Sequence, residues 1–453
     1  MAGEQAINPK IFGAYDVRGI YPETLDEDAA YRIGRAFVQY LGASAVAVGR
    51  DMRVSSPALA GAVIRGITDQ GADAIDLGMT TTDELYFAVG KFGYPAGVMV
   101  TASHNPKQYN GLKMCREEAI AISSETGGNA IRDLALAGNP PEPARKGQVI
   151  QRDVNDDYVR HVLSFIDVAK ALPLKIAVDA GNGMAGMIVP KVFAHLPCEL
   201  IPLYFELDGT FPNHPASPIE PENTEELRKI VPAQSCNMGI AFDGDADRMF
   251  LIDEHGRLLG GDMVTALVAH SLLQTHPGAT ILYNLICSRS VPEVIERDGG
   301  RAVRTRVGHS FIKAQMRQEN AIFGGEHSGH FYFRDNWYAD SGLIAFLIVL
   351  ELVSVSGKTV SQLVAEVDTR FRSGEINSEV HEQQERMAAV ERQFAAQGAQ
   401  IDHLDGVTIG FPTWWANVRP SNTEPLLRLN VEADTKDELE RRTADVLAVI
   451  RQA

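Results

Sequence analysis

The stretch DAIDLGMTTTDELYFAVGKFGYPAGVMVTA (residues 73–102) decides the fold class. A short apolar run, DAIDLG (73–78), is followed by TTDELYFAV, in which Thr81 and Glu84 have the three-residue spacing of a capping box and open a helix. A second apolar run, GVMVTA (97–102), follows. Strand, helix and strand in so short a span indicate a layered α/β sheet. Upstream, AVAVG (45–49) and SSPALAGAVIRGITDQG repeat the pattern, with serines suited to N-capping, a proline near the first turn and Gly71 ending the helix. The pattern restarts at LKIAVDAGNGMAG (174–186) and at GATILYNLI (278–286). After about residue 370 it changes to GVTIGF, WWANVRP and PLLRLNVEA, then one charged helix, TKDELERRTADVLAVIRQ. The expected architecture is three similar mixed-sheet α/β domains, at 1–150, 151–255 and 256–370, and a smaller α+β domain at 371–453.

Bulk properties agree with several domains. A chain of 453 residues exceeds one core, and 45% hydrophobic with 22% charged residues is an ordinary globular balance. The formal charge of −17 argues against nucleic acid or an anionic membrane surface as a partner. An anionic substrate must then be drawn in by a local cluster of Arg, Lys and His. The cysteines Cys115, Cys198, Cys236 and Cys287 form no C-x-x-C pair, so neither a zinc site nor a disulfide framework is indicated. The start of the chain has no signal-peptide core. The most apolar run, LIAFLIVLELV (343–353), is too short to span a bilayer, contains Glu351 and reads as a buried helix. A soluble, reducing, cytoplasmic protein is expected.

The most informative loop is GIAFDGDADRMFLID (239–253). Asp243, Asp245 and Asp247 alternate with small residues, and in an extended chain residues two apart point to one side. Carboxylates so gathered repel unless a cation lies among them, and oxygen-only ligands select Mg²⁺ or Ca²⁺ over zinc. An EF-hand is excluded although Glu254 falls at its twelfth position. Arg248 stands where the loop needs glycine, and the flanks read as strands. Magnesium would take a further oxygen from elsewhere, phosphate being the usual donor.

Opposite charge is supplied by NVRPSNTEPLLRLN (417–430), where Arg419, Ser421, Asn422 and Thr423 lie between two strand-like segments, with Arg428 following. Hydroxyls, an amide and a guanidinium fork suit a phosphate. FGGEHSGH (323–330) sets Glu326, His327, Ser328 and His330 on a glycine-flanked loop suited to sugar hydroxyls. DAGNGMAG matches the G-x-G-x-x-G of a dinucleotide fold at Gly181, Gly183 and Gly186, with Glu206 downstream. Asp179 and Ala180 stand where such folds continue apolar, and an NAD-dependent oxidoreductase would leave the other polar loops unexplained. These glycines are read as allowing close helix–strand packing.

Ser103 lies in VMVTASHNPKQYNGLK (98–113), just past the end of an apolar strand. No G-x-S-x-G elbow surrounds it, and adjacent His104 need not face it. A serine beside a cation loop and a phosphate loop points to phosphoryl transfer, with the hydroxyl stored as a phosphoserine whose phosphate supplies the missing metal oxygen.

In these residues the chain resembles the α-D-phosphohexomutase family, and its bacterial phosphomannomutase branch in particular. The matching pieces are AYDVRG (14–19), VGRDMRVSS (48–56), TASHNP (101–106), NGLK (110–113), DGTFPNHP (208–215), DGDADR (243–248), VGHSFIK (307–313), GEHSGH (325–330) and RPSNTEP (419–425). They fall in family order along nearly the whole chain. The resemblance implies four domains around a central cleft, each contributing one loop. It also implies interconversion of mannose 6-phosphate and mannose 1-phosphate through a phosphoserine enzyme and a 1,6-bisphosphate, with hexose 1,6-bisphosphate as activator. The alternative is a dual phosphomannomutase/phosphoglucomutase. Carried over, Ser103 is the phosphoserine, and Asp243, Asp245 and Asp247 hold Mg²⁺ with one of its oxygens. Arg18, Lys113 and Arg248 line the transfer site, and Arg419, Ser421, Asn422 and Thr423 grip the distal phosphate. Glu326 and Ser328 bind sugar hydroxyls, while Tyr15, His309 and Arg428 are further substrate contacts. Lys113, His330 and His104 are the candidates for general acid–base work; each could instead be a fixed hydrogen-bond donor, the reading preferred for His104. Ile286 stands where related dual-specificity enzymes often carry lysine. His327, where glucose-specific members carry glutamate, and Asn422, where glucosamine-type members carry glycine, lean toward mannose or dual specificity. Small phosphosugars are thus the expected partners, and oligomeric state is left open.

Overall fold

Four β-sheets follow one another along the chain. The structure is a computed structural model that describes residues 7–138, 143, 145–421 and 426–452. The first sheet orders the strands Val17–Ile20, Tyr109–Arg116, Ala96–Val100, Ala45–Arg50, Asp73–Met79 and Val149–Gln151, with Ile120–Ala121 paired to Tyr109–Arg116. The second orders Met249–Ile252, Met238–Phe242, Lys175–Asp179 and Glu199–Leu203. The third orders Arg301–Thr305, Thr280–Asn284, Phe323–Gly325, Phe331–Phe333 and Ala339–Asp340.

One topology recurs in all three. The chain lays down a strand and crosses through a helix to a parallel neighbour. A second helix carries it back to a parallel strand on the other flank, where it reverses into an antiparallel partner. The reversals are residues 101–108, 243–248 and 326–330. The loops of Ser103, of the three aspartates and of Glu326–His330 are therefore the same loop of the same motif. The strands leading into them are buried along their whole length, as Ala96–Val100 and Met238–Phe242 are. Such continuous apolar runs belong to strands covered on both faces.

The fourth sheet is antiparallel throughout, ordering Phe371–Glu379, Leu426–Ala433, Trp414–Pro420, Val407–Gly410 and Gln400–Asp402. Two helices accompany it, Gln383–Ala395 and Lys436–Ile450, where the sequence indicated one. The first of these buries only Met387, Val390 and Phe394, too thin an apolar stripe to stand out from its polar neighbours.

Local chemistry explains most of the elements. Thr81 and Glu84 form the expected capping box of the helix Thr82–Phe92. The serines before Ser56–Asp69 do not cap it. Instead Ser55 Oγ and Ser56 Oγ accept from Asn110 Nδ2 at 2.8 and 2.9 Å, tying this helix to the strand Tyr109–Arg116. Gly342–Ser356 is buried from Gly342 to Leu350, as its apolar sequence required, while Glu351 is half-buried and accepts from Asp167 N. Among the described residues no helix is long and apolar enough to cross a membrane.

The cores are unequal. One continuous cluster runs from Tyr158 through Ile176, Phe242, Val268, Phe323 and Phe346 to Val367, uniting the second and third units, and Phe87 of the first unit joins it. The first unit keeps its own cluster and so does the fourth. Gly90 lies so close to Trp337 that an added Cβ would stand 2.2 Å from the indole, which clamps the first unit to the third.

Candidate active site

Ser103 takes a left-handed backbone conformation, φ 51°, which costs a non-glycine residue energy and needs support. Arg53 supplies it. Its Nη2 donates to the carbonyls of Ser103 and Asn105 at 2.8 and 2.7 Å, and its Nη1 to those of Pro106 and Tyr109 at 2.9 and 3.1 Å. Asp51 neutralises this buried guanidinium at 3.2 Å, and the Phe211 ring of the second unit lies 5.0 Å from it. With its backbone so held, Ser103 Oγ donates to Asp243 Oδ2 at 2.7 Å across the junction between two units.

The three aspartates do converge, but not by strand alternation. Residues 243–248 form a tight turn in which Ala246 is left-handed (φ 64°), and ligand oxygens of Asp243, Asp245 and Asp247 lie within 4.8 Å of one another. All three residues are buried. Lys113 Nζ, on the strand beside the Ser103 loop, donates to Asp245 Oδ2 at 2.8 Å and Asp247 Oδ2 at 2.5 Å. Asp245 Oδ1 and Asp247 Oδ1 are buried with no hydrogen-bond partner. Buried carboxylate oxygens without a hydrogen bond in an all-oxygen donor set fit a hard divalent cation. Charge balance agrees. Burial and the neighbouring Asp247 and Asp245 push the Asp243 carboxyl well above its ordinary value, and burial and Asp245 push Asp247 up to about 6. Burial also opposes charge on Asp245, but Lys113 holds that carboxyl below the usual range. Burial opposes the Lys113 ammonium too, yet Asp245 and Asp247 keep it firmly protonated.

A cavity of about 880 Å³ opens over this cluster, lined among others by Tyr15, Arg18, Ser103, His104, Lys113, Arg248 and His330. Arg18 Nη1 donates to the Ala102 carbonyl at 3.1 Å and pairs with Asn105 and Asp16. Arg248 Nη2 donates to His104 Nδ1 at 2.8 Å. Arg248, burial and Arg18 together push the His104 imidazole well below its ordinary value, so the ring is neutral with Nδ1 as acceptor. His330 forms an isolated antiparallel bridge with Arg248, joining the second and third reversals.

The third reversal is internally bonded. Ser328 Oγ donates to Glu326 Oε2 at 3.1 Å and lies 3.0 Å from His330 Nδ1, while Gly308 N donates to Glu326 Oε1 at 3.2 Å. Burial raises the Glu326 carboxyl. Tyr15 bridges toward the fourth unit, its hydroxyl packed on Gly308 and its pKa raised by burial and then by Glu326 and Asp405. Helix His309–Glu319 begins there; the His309 side chain lies outside the described residues.

Residues Asn422 and Thr423 also lie outside the described residues. Around them Arg419 Nη2 donates to Glu375 Oε2 at 2.5 Å, Arg428 Nη1 stands 3.4 Å from Glu375 Oε1, and Arg428 Nη2 reaches Ser421 Oγ at 3.5 Å. This cluster is separate from the lining of the large cavity. Ile286 is buried behind the loop where Arg289 reaches the fourth unit at the Phe411 carbonyl, 2.9 Å away. Arg53, Thr82, Glu375 and Asp340, whose carboxylate oxygen lies within 4.8 Å of ligand atoms of Asp247 and His330, went unread as site residues in the sequence. Arg53 alone had a signal, in VGRDMRVSS; the others are marked only by partners distant in the chain. Gly183 and Gly186 serve packing, since a Cβ on either would meet the carbonyl oxygens of Gly244 and Phe205 at 2.7 and 2.2 Å, whereas Gly181 takes a left-handed backbone, φ 53°.

A serine hydroxyl set against a carboxylate cluster able to hold a cation, with lysine and arginine around one cavity, suits a phosphoryl-transferring mutase, the class to which comparison with known proteins assigns the chain. Four descriptions tile the chain: phosphoglucomutase/phosphomannomutase, alpha/beta/alpha domain I at residues 9–140, domain II at 156–256, domain III at 260–371, and the C-terminal domain at 375–449. The chain belongs to the phosphoglucomutase/phosphomannomutase family. It is 43% identical over 452 residues to a phosphomannomutase of Salmonella montevideo, covering 98% of this chain and 99% of that one. It is 42% identical over 444 residues to the phosphohexose mutases of Xanthomonas campestris, covering 97% and 99%. Among solved structures, a phosphoglucomutase/phosphomannomutase family protein from Burkholderia thailandensis superposes with a TM-score of 0.89 at 33% identity, covering 98% of each chain.

Proposed function

We propose that this enzyme is a Mg²⁺-dependent phosphomannomutase that interconverts mannose 6-phosphate and mannose 1-phosphate through phospho-Ser103 and a 1,6-bisphosphate intermediate. The observation that carries this reading is Ser103 Oγ at 2.7 Å from Asp243, beside the oxygens Asp245 Oδ1 and Asp247 Oδ1, which accept no hydrogen bond. Asp243, Asp245 and Asp247, with a phosphoserine oxygen, would hold the ion, which adds positive charge where the reacting phosphoryl is richest in negative charge.

In transfer, the bond from phosphorus to Ser103 Oγ breaks as one forms to the sugar O1 or O6, and the sugar hydroxyl proton leaves. Lys113, an ammonium paired with two carboxylates, acts as charge and not as base. His104 holds Arg248. His330 is therefore assigned the proton. Arg18 and Arg248 flank the phosphoryl. Glu326 and Ser328, with His309 and Tyr15, bind the sugar, while Arg419, Ser421, Asn422, Thr423 and Arg428 hold the distal phosphate. The work divides by domain, with 1–150 supplying the phosphoserine loop, 151–255 the metal loop, 256–370 the sugar loop and 371–453 the phosphate loop. A trace of hexose 1,6-bisphosphate primes Ser103, and free thiols at Cys115, Cys198, Cys236 and Cys287 suit the cytoplasm.

Phosphorus NMR tests the substrate. Protein, Mg²⁺ and a trace of hexose 1,6-bisphosphate are mixed with mannose 1-phosphate or glucose 1-phosphate in separate tubes. Growth of a 6-phosphate signal from mannose alone is expected. Comparable growth from both identifies a dual phosphomannomutase/phosphoglucomutase, the reading favoured by the name of the Xanthomonas relative. Conversion of neither overturns the assignment.

A further inference from the structure

We propose that Thr82 is the positioning residue for Asp245, fixing which carboxylate oxygen faces the cation. The inference rests on the metal reading of the 243–247 loop. Thr82 opens the helix Thr82–Phe92, so its N–H lies in the first turn and has no acceptor within the helix. It donates instead to the main-chain carbonyl of Asp245 at 3.2 Å. The Thr82 hydroxyl donates to Asp245 Oδ2 at 2.6 Å. One residue of the first unit thus grips one residue of the second by backbone and side chain together, and both are fully buried.

The consequence lies in how the carboxylate is divided. Asp245 Oδ2 accepts both Thr82 Oγ1 and Lys113 Nζ, whereas Oδ1 accepts nothing. Two donors on one oxygen present the other, with its lone pairs open, to a ligand. Lysine is a long, flexible donor, but threonine is branched at Cβ and has few rotamers in a helix. The threonine therefore sets the plane of the carboxylate.

Its helix is anchored from behind. The capping box closes the Thr81 end, and Asp83 accepts hydroxyls from Tyr158 and, at 2.7 Å, from Ser341. The two acids of the first turn are thereby spoken for, leaving the positive end of the helix to the Asp245 carboxylate. A ligand's hydrogen-bond partner typically accounts for a 10- to 100-fold difference in metal affinity.

The test uses Mn²⁺ as a spectroscopic probe. Free ion is followed by electron paramagnetic resonance during titration of the full chain as wild type, Thr82→Val and Thr82→Ser, with the melting temperature of each recorded. Thr82→Ala replaces the valine variant if valine fails to fold. Removal of the hydroxyl is expected to weaken Mn²⁺ binding by about 10-fold or more, and serine to restore it, with melting temperatures alike. Unchanged affinity in the hydroxyl-free variant overturns the inference and leaves the metal reading standing, as does a loss that serine does not restore. Failure of the wild type to bind Mn²⁺ overturns both.

Discussion

Arg53 Nη2 donates to the main-chain carbonyl of Ser103 at 2.8 Å, so the residue with the reacting hydroxyl is held by its backbone while its side chain turns to Asp243. One guanidinium collects four carbonyls of a single loop, and Asp51 balances its charge. A loop that must carry a phosphoryl group and give it up is thereby kept in one shape.

Arg53→Ala leaves the Asp51 carboxylate buried without its cation and takes one donor from each of four carbonyls. Breaking a buried ion pair on one side typically costs about 3–5 kcal/mol, and a loss of that order is expected in urea unfolding. Arg53→Lys keeps the charge but not the fork, and should recover only part of the loss. Wild-type stability in Arg53→Ala would remove the argument for this staple.

Ser103→Ala should abolish turnover and leave the intact protein unable to take up phosphate from hexose 1,6-bisphosphate, as read by mass spectrometry. An alanine variant that turns over at the wild-type rate would sink the phosphoserine assignment.

Asp245→Asn should lose both divalent-ion binding and activity while keeping the far-ultraviolet circular dichroism of the wild type. The amide has a single accepting oxygen; turned to the donors of Thr82 and Lys113, it leaves an NH2 group, which cannot ligate, facing the cation. Stripping the wild type with a chelator should give the same loss of activity, reversed by Mg²⁺. Full turnover without metal would contradict the account of the aspartate loop.

Asp83 gives a pH signature. Burial pushes its carboxyl from 3.8 up to about 7 against hydroxyl donors from Thr81, Tyr158 and Ser341. The folded chain thus binds a proton there that the unfolded chain releases between those values. The resulting stability is complete below the unfolded value and is lost as pH rises through the folded one, up to about 4 kcal/mol in all. Unfolding free energies measured from acid to mildly alkaline pH should therefore fall in the wild type and fall less in Asp83→Asn. Parallel curves would mean that Asp83 stays ionised throughout.

What could be read from the sequence divides by distance along the chain. The capping box of Thr81 and Glu84 was legible because both partners lie in one turn, and the strands before each loop because their apolar runs are continuous. The aspartate cluster was legible for its chemistry but not its shape. Strand alternation would have aligned the carboxylates, whereas a turn with a left-handed Ala246 gathers them. Ser55 and Ser56 look like caps because serine before a helix usually is one, yet Asn110, 55 residues away, claims Ser55. Thr82 meets Asp245 across 163 residues, and Glu375 meets Arg419 across 44, pairings that no local pattern announces. The fold was legible because it is one motif three times over; the site was legible only in its donors and acceptors, not in what holds them.

The apolar cluster that passes unbroken from the second unit into the third has a consequence for how such a chain can be inherited. The seam between those units exists in the sequence but not in the packing, since Phe242 and Phe323 belong to one core. Recombination that exchanged one of them alone would bring together two half-surfaces shaped for different partners. The fourth unit, whose Trp414 and Leu429 pack within their own cluster, faces no such constraint. The fourth unit, and the first with its own cluster, have interiors freer to be traded or to drift at their own pace, while the two in the middle are bound to change together.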